Sequence, residues 1–338
     1  MAPGDDTRAA RAAWLASLRR LVPIPPPHRD PSLDRADALA VLRCPDELLD
    51  LLVAEGLPCE DDGDGLRFDR RDVYNLALYS DSGRSLPELG TAFLGRLARE
   101  GQRGWSEARR WSVNVQIRCP RRDACEPEPA WAFGRPRPDL LGGEQLELRA
   151  PPGCDPLAEV LAWPGAHGSA SLAGTLVTRG TVDALVAPAL REAFASVVDD
   201  YAFQVLPPSL RRDLAAVERL RVVDCIAATG LLVRACRAAG YEAHAQSGFL
   251  LGLFGYGGHR WVRVRDADGR VKSLDPTLPM IAAMGRHDAG AFRAHCAGSV
   301  LNRVVPCVPL DDGEIAGHRC GGQPRTPDLA IRSRRETD

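Results

Sequence analysis

VDCIAATGLLVRACRAAG, residues 223–240, followed by GGHRWVRV at 257–264 and SLDPT at 273–277, is the stretch whose reading decides the fold. Asp224 suits a helix N-cap, because its carboxylate can accept the unpaired N–H groups of a first turn, and Gly240 suits the C-terminal cap. Between them the chain reads as a helix buried through Ile226, Leu231, Leu232 and Val233. Cys225 then falls in the first turn, where unpaired N–H groups and the positive end of the helix dipole favour a thiolate. Its own backbone N–H can help bind a developing oxyanion.

Downstream, residues 241–249 alternate as a strand with Glu242, His244 and Gln246 on one face. A turn containing Gly252, Gly255, Gly257 and Gly258 leads to a strand over 259–265, and a return strand runs over 270–275. A three-residue loop of Ala267, Asp268 and Gly269, with the glycine left-handed, makes the numbers of facing residues sum to 536. His259 and Asp275 then share a face, as they also do at 534. A sum of 535 turns the carboxylate to the opposite side. Trp261 shares the His259 face and reads as packing around it.

Cysteine, histidine and aspartate in these contexts suit acyl transfer. A thiolate attacks a carbonyl, an imidazole carries its proton, and a carboxylate holds the imidazole's tautomer. The helix-start Asp-Cys, the His-x-Trp strand and the terminal Asp-Pro-Thr resemble the transglutaminase-like superfamily, part of the papain-like group of thiol enzymes. The resemblance covers about residues 200–285. It implies an α+β fold with the Cys at a helix N-terminus packed on an antiparallel sheet, with Cys225 as nucleophile, His259 as base and Asp275 as orienting group. Many members of that superfamily begin this motif Gly-Asp-Cys; Val223 stands in the glycine's place here. Gln204 and Gln246 are candidate second oxyanion donors, and Asp224 and Trp261 are supporting residues. The implied chemistry is amide-bond formation or hydrolysis at an amide or thioester carbonyl, with no cofactor. Its substrate would be a peptide, a protein or a carrier-protein-bound acyl group, as in bacterial natural-product or peptide biosynthesis. The competing class is an inactive binding or regulatory protein.

That competitor draws on residues 31–100. Asp34 caps one helix, Pro45-Asp46 opens a second, and Gly56 ends it. A tight turn at Asp61-Asp62-Gly63-Asp64-Gly65 precedes a helix starting at Asp69. With Gly56-Leu57-Pro58 after the second helix, this resembles the winged helix-turn-helix modules of the excisionase and MerR type. Its charge opposes nucleic acid. Residues 31–80 carry twelve acidic side chains against five arginines, a balance of −7. Phosphate neutralisation dominates DNA affinity, so protein docking is the expected use. Residues 96–122 hold eight arginines and two glutamates, a basic stretch suited to a solvated surface or an acidic partner.

The linear plan is a helix and Pro-rich linker over 1–30, the helical module over 31–100, the enzyme-like region over 101–310, and a flexible polar tail over 311–338. Helices are expected over 181–199, with a kink or a true start at Pro188, and over 210–220. Residues 111–117 and 146–148 read as strands. Cys119-x5-Cys125, His295-Cys296 and His318-x-Cys320 lack the paired spacing of a zinc site, so no metal is expected. The 338 residues carry a net charge of −2, with Lys272 the sole lysine, a usage that fits GC-rich bacterial coding. No apolar run approaches the roughly 20 residues of a membrane span and no leader pattern opens the chain. A reduced, cytoplasmic protein is the expectation.

Overall fold

A computed structural model describes residues 3–121, 125, 130–164, 168–252, 257–284, 290–310 and 313–336, with only the backbone of 3–8. Arg122 and Gly255, singled out above, lie outside the described residues. The chain is α+β and divides into two compact units. One comprises Met1–Arg96, Ser196–Leu231 and Thr277–Asp288, and the other Leu97–Ala195, Leu232–Pro276 and Ala289–Asp338. The linear plan did not foresee this weave.

The first unit begins with α1 (Pro3–Arg20), which stops short of the prolines at 23 and 25–27. Asp34 caps α2 (Arg35–Leu42) through the Asp37 N–H, and α3 (Asp46–Ala54) follows. The short hairpin β1 (Glu60–Asp61) and β2 (Leu66–Arg67) leads to α4 (Arg70–Leu78), capped by Asp69. Trp14, Leu42, Leu49, Leu52, Phe68 and Leu76 form their common core. The helices α5 (Leu86–Ala98) and α6 (Gly101–Ser106) come next.

The strands that follow are β3 (Arg109–Arg118), β4 (Ala130–Gly134), β5 (Glu144–Arg149), β6 (Val160–Pro164) and β7 (Ser169–Thr178). The next helix, α7 (Pro188–Asp200), starts at its proline instead of kinking there, since a first-turn proline gives up no intrahelical hydrogen bond. Then come β8 (Ala202–Phe203), α8 (Pro208–Arg211), α9 (Leu214–Leu220) and β9 (Val222–Val223). In the first unit β8 and β9 run parallel, and Asn75 holds the Val205 backbone on both its N–H and its carbonyl. The Tyr79 hydroxyl donates to the Phe203 carbonyl. Residues 31–80 are therefore tied to the segment that leads into Cys225.

The site region contains α10 (Cys225–Ala238), β10 (Ala243–Leu250), β11 (His259–Arg265), β12 (Val271–Leu274), α11 (Thr277–Met284) and α12 (Gly290–Cys296). The chain closes with β13 (Ala297–Gly298), β14 (Val304–Pro306), β15 (Ala316–Cys320), β16 (Gln323–Arg325) and β17 (Asp328–Arg335). In the second unit a five-stranded sheet runs β13-β12-β11-β10-β14, beside two four-stranded sheets ordered β16-β15-β4-β6 and β17-β3-β7-β5. Trp111, Val115, Ile117, Trp131, Phe133 and Phe249 dominate its core.

The expected flexible tail is corrected here. From residue 316 onward the chain supplies strands to two sheets, with β15 paired to β4 and β17 to β3 along its whole length. Alternation explains it: Leu329 and Ile331 of β17 face the core beside Ile117 and Val115, while Arg332 and Arg334, on the opposite face, are exposed. Polar composition hid a strand buried on one face.

Candidate active site

The β11–β12 hairpin has the register that its turn demands. Val262 faces Leu274 and Arg263 faces Ser273, so facing numbers sum to 536. Gly269 sits at φ +77° and its N–H bonds the Asp266 carbonyl, closing the three-residue loop. His259 and Asp275 therefore lie on one face, and His259 Nε2 meets Asp275 Oδ2 at 2.5 Å. Both side chains are buried, at 6% and 9% exposure. The Trp261 ring lies nearly parallel to the imidazole at 5.9 Å and 21°, which fixes the ring plane from one side. Trp261 is itself core, as expected, and among the described residues its buried Nε1 has no hydrogen-bond partner. The Asp275 N–H bonds the Cys296 carbonyl, anchoring the carboxylate's backbone to the end of α12.

Turning to the thiol, Asp224 caps α10 as its sequence context requires. Its Oδ1 accepts from the Ile226 and Ala227 N–H groups at 3.0 and 2.9 Å, and the Ala228 N–H bonds its carbonyl. Cys225 is the first residue of the helix and is half-buried. The capping carboxylate thus engages two of the otherwise unpaired N–H groups of the first turn. Burial pushes Cys44 and Cys236 up to about 11, and raises Cys296 well above the usual thiol range, with the Asp275 charge adding to it.

The two glutamines proposed as oxyanion donors are otherwise occupied. The buried Gln204 amide is oriented to donate to the Val22 carbonyl and accept from the Val22 N–H, at 3.0 Å each. Gln246 spends its amide N–H groups on the Ser247 and Cys307 carbonyls, at 2.9 and 3.2 Å. Both act as backbone clamps.

The expectation of no metal centre meets a contrary observation. Cys119, Cys125, His318 and Cys320 place their ligand atoms within 4.8 Å of one another. Two of the sequence pairs dismissed for their spacing converge on one point. The third, His295-Cys296, packs elsewhere, with the His295 ring against Trp105.

No protein-family profile matches the chain, and no curated protein does. Among solved structures, the chain is similar to a candidate cysteine protease from Cytophaga hutchinsonii, at 11% identity and a TM-score of 0.44. That likeness covers 69% of this chain and 93% of the other. Among the described residues no helix is long and apolar enough to cross a membrane.

Proposed function

We propose that this protein is a transglutaminase-like cysteine acyl-transfer enzyme acting on an amide or thioester carbonyl, with Cys225 as nucleophile. The observation that carries the reading is the buried His259–Asp275 hydrogen bond, set by a hairpin register that one residue's slip would abolish. A carboxylate on Nε2 fixes the imidazole tautomer and stabilises the imidazolium that forms when Nδ1 takes the thiol proton. The capped start of α10 supplies the complementary half, a thiol at a helix N-terminus.

The Cys225 sulfur forms a C–S bond and the carbonyl π pair moves to oxygen, beside the Cys225 N–H. Collapse expels an amine or thiol, which takes the proton from the His259 imidazolium. Water or an amine, deprotonated by His259, then releases the acyl group and restores the thiol. The exposed acidic side chains of Asp61, Asp62 and Asp64 disfavour a polyphosphate partner for the N-terminal segment and suit docking of a basic peptide or protein.

The decisive experiment is trapping with an acyl-thioester or peptide chloromethyl ketone followed by mass spectrometry. The adduct should map to Cys225 and vanish in Cys225→Ala, with turnover down at least about 10^4-fold. An adduct on another cysteine, or full turnover in the variant, would overturn the assignment.

A further inference from the structure

Cys119 directly follows β3, Cys125 lies in the connection from β3 to β4, and His318 and Cys320 occupy alternate positions on one face of β15. Cys119, His318 and Cys320 are buried and Cys125 is half-buried. Cys125 Sγ stands 3.6 Å from His318 Nε2. A tetrahedral zinc site with Zn–S of about 2.3 Å and Zn–N of about 2.0 Å has ligand–ligand edges of roughly 3.5–3.8 Å. The 4.8 Å envelope of the four atoms closes onto such a site with a small inward movement.

The imidazole is also prepared for a ligand. His318 Nδ1 is 3.1 Å from the Ala130 carbonyl, which makes it the N–H donor and leaves the Nε2 lone pair directed toward the sulfurs. Trp131 stacks on the ring at 3.9 Å between centroids, fixing its plane. None of the ten cysteines is joined in a disulfide, so no such bond accounts for the cluster.

We propose that Cys119, Cys125, His318 and Cys320 bind one zinc ion as a closed structural site. Three thiolates and an imidazole form a donor set suited to zinc. Four protein ligands leave no open coordination position, so the ion joins the end of β3 to β15 and performs no chemistry on substrate. The site is separate from the Cys225, His259 and Asp275 assignment and stands or falls without it.

The test uses the full chain, purified with reductant and without chelator. Elemental analysis should find about one zinc per chain. Cobalt(II) added to stripped protein should give the strong visible bands of a tetrahedral thiolate site. Cys320→Ser and His318→Ala should each weaken zinc binding by at least about tenfold, while Cys225→Ala retains it. If a ligand variant fails to fold, the cobalt spectrum and zinc titration of the unaltered chain decide. Any of three results would overturn the proposal: neither zinc nor a tetrahedral cobalt spectrum, iron with cluster absorbance, or a disulfide among these cysteines in freshly lysed cells.

Discussion

The β11–β12 hairpin carries a buried aspartate at each end, and the two are held in different ways. Asp266, at the turn, accepts from the Val186, Ala187 and Ala267 N–H groups and from Lys272 Nζ at 2.7 Å. Lys272 in turn binds Asp268 and the Ala184 carbonyl, leaving neither partner available to a substrate. Burial opposes the charge on Asp266, yet Lys272 and these backbone donors outweigh it and hold the carboxyl well below the usual carboxylate range. Asp275, at the open end, gives its Oδ2 to a ring that can gain and lose a proton. A buried carboxylate among fixed donors is a structural anchor; one set against an imidazole can take part in proton transfer.

The largest test of this contrast is Asp275→Asn. It keeps the shape and removes the charge that sets the His259 tautomer, so kcat/KM should fall about 10^3- to 10^4-fold. Steady-state kinetics beside a urea melt checks it, and a loss of stability matching the loss of rate would make Asp275 a second anchor. Next comes Lys272→Met, which leaves Asp266 buried without its cation and should destabilise the fold by about 3 kcal/mol in the same melt. The stability supplied by the depressed Asp266 carboxyl is complete above the unfolded value of about 3.9 and is lost as pH falls through its own lower value. Lys272→Met raises that folded value, so acid unfolding should begin at higher pH, a shift measurable by circular dichroism. An unchanged acid midpoint would show that the backbone donors alone anchor Asp266. The smallest effect is expected from Asp224→Ala, which frees the Ile226 and Ala227 N–H groups and should lower stability by about 1 kcal/mol. Asp224→Asn should restore most of it, and equal losses in the two variants would point to the Arg211 contact in place of the cap.

What could be read from the sequence was local. The hairpin register follows from four adjacent residues, Asp266 to Gly269, and the start of α10 from the single capping carboxylate of Asp224. What was missed depends on partners far along the chain. Gln204 is claimed by Val22 and Gln246 by Cys307, so their spent donors were invisible without the fold. The sulfur cluster escaped for the same reason, since 193 residues separate Cys125 from His318. Strands β15 to β17 were mistaken for a tail because Gly, Pro and Arg dominate residues 311–338, and the alternation of Leu329 and Ile331 was too short to stand out.

The placement of β17 governs how the chain must be assembled. It covers the edge of β3 along its length, pairing Arg335 with Trp111, and β15 covers β4. During synthesis the edges of β3 and β4 therefore stay unpaired until residues 316–335 have left the ribosome. The second unit completes both sheets only after β17 has emerged, and in that interval the open edges are exposed to pairing with a neighbouring nascent chain.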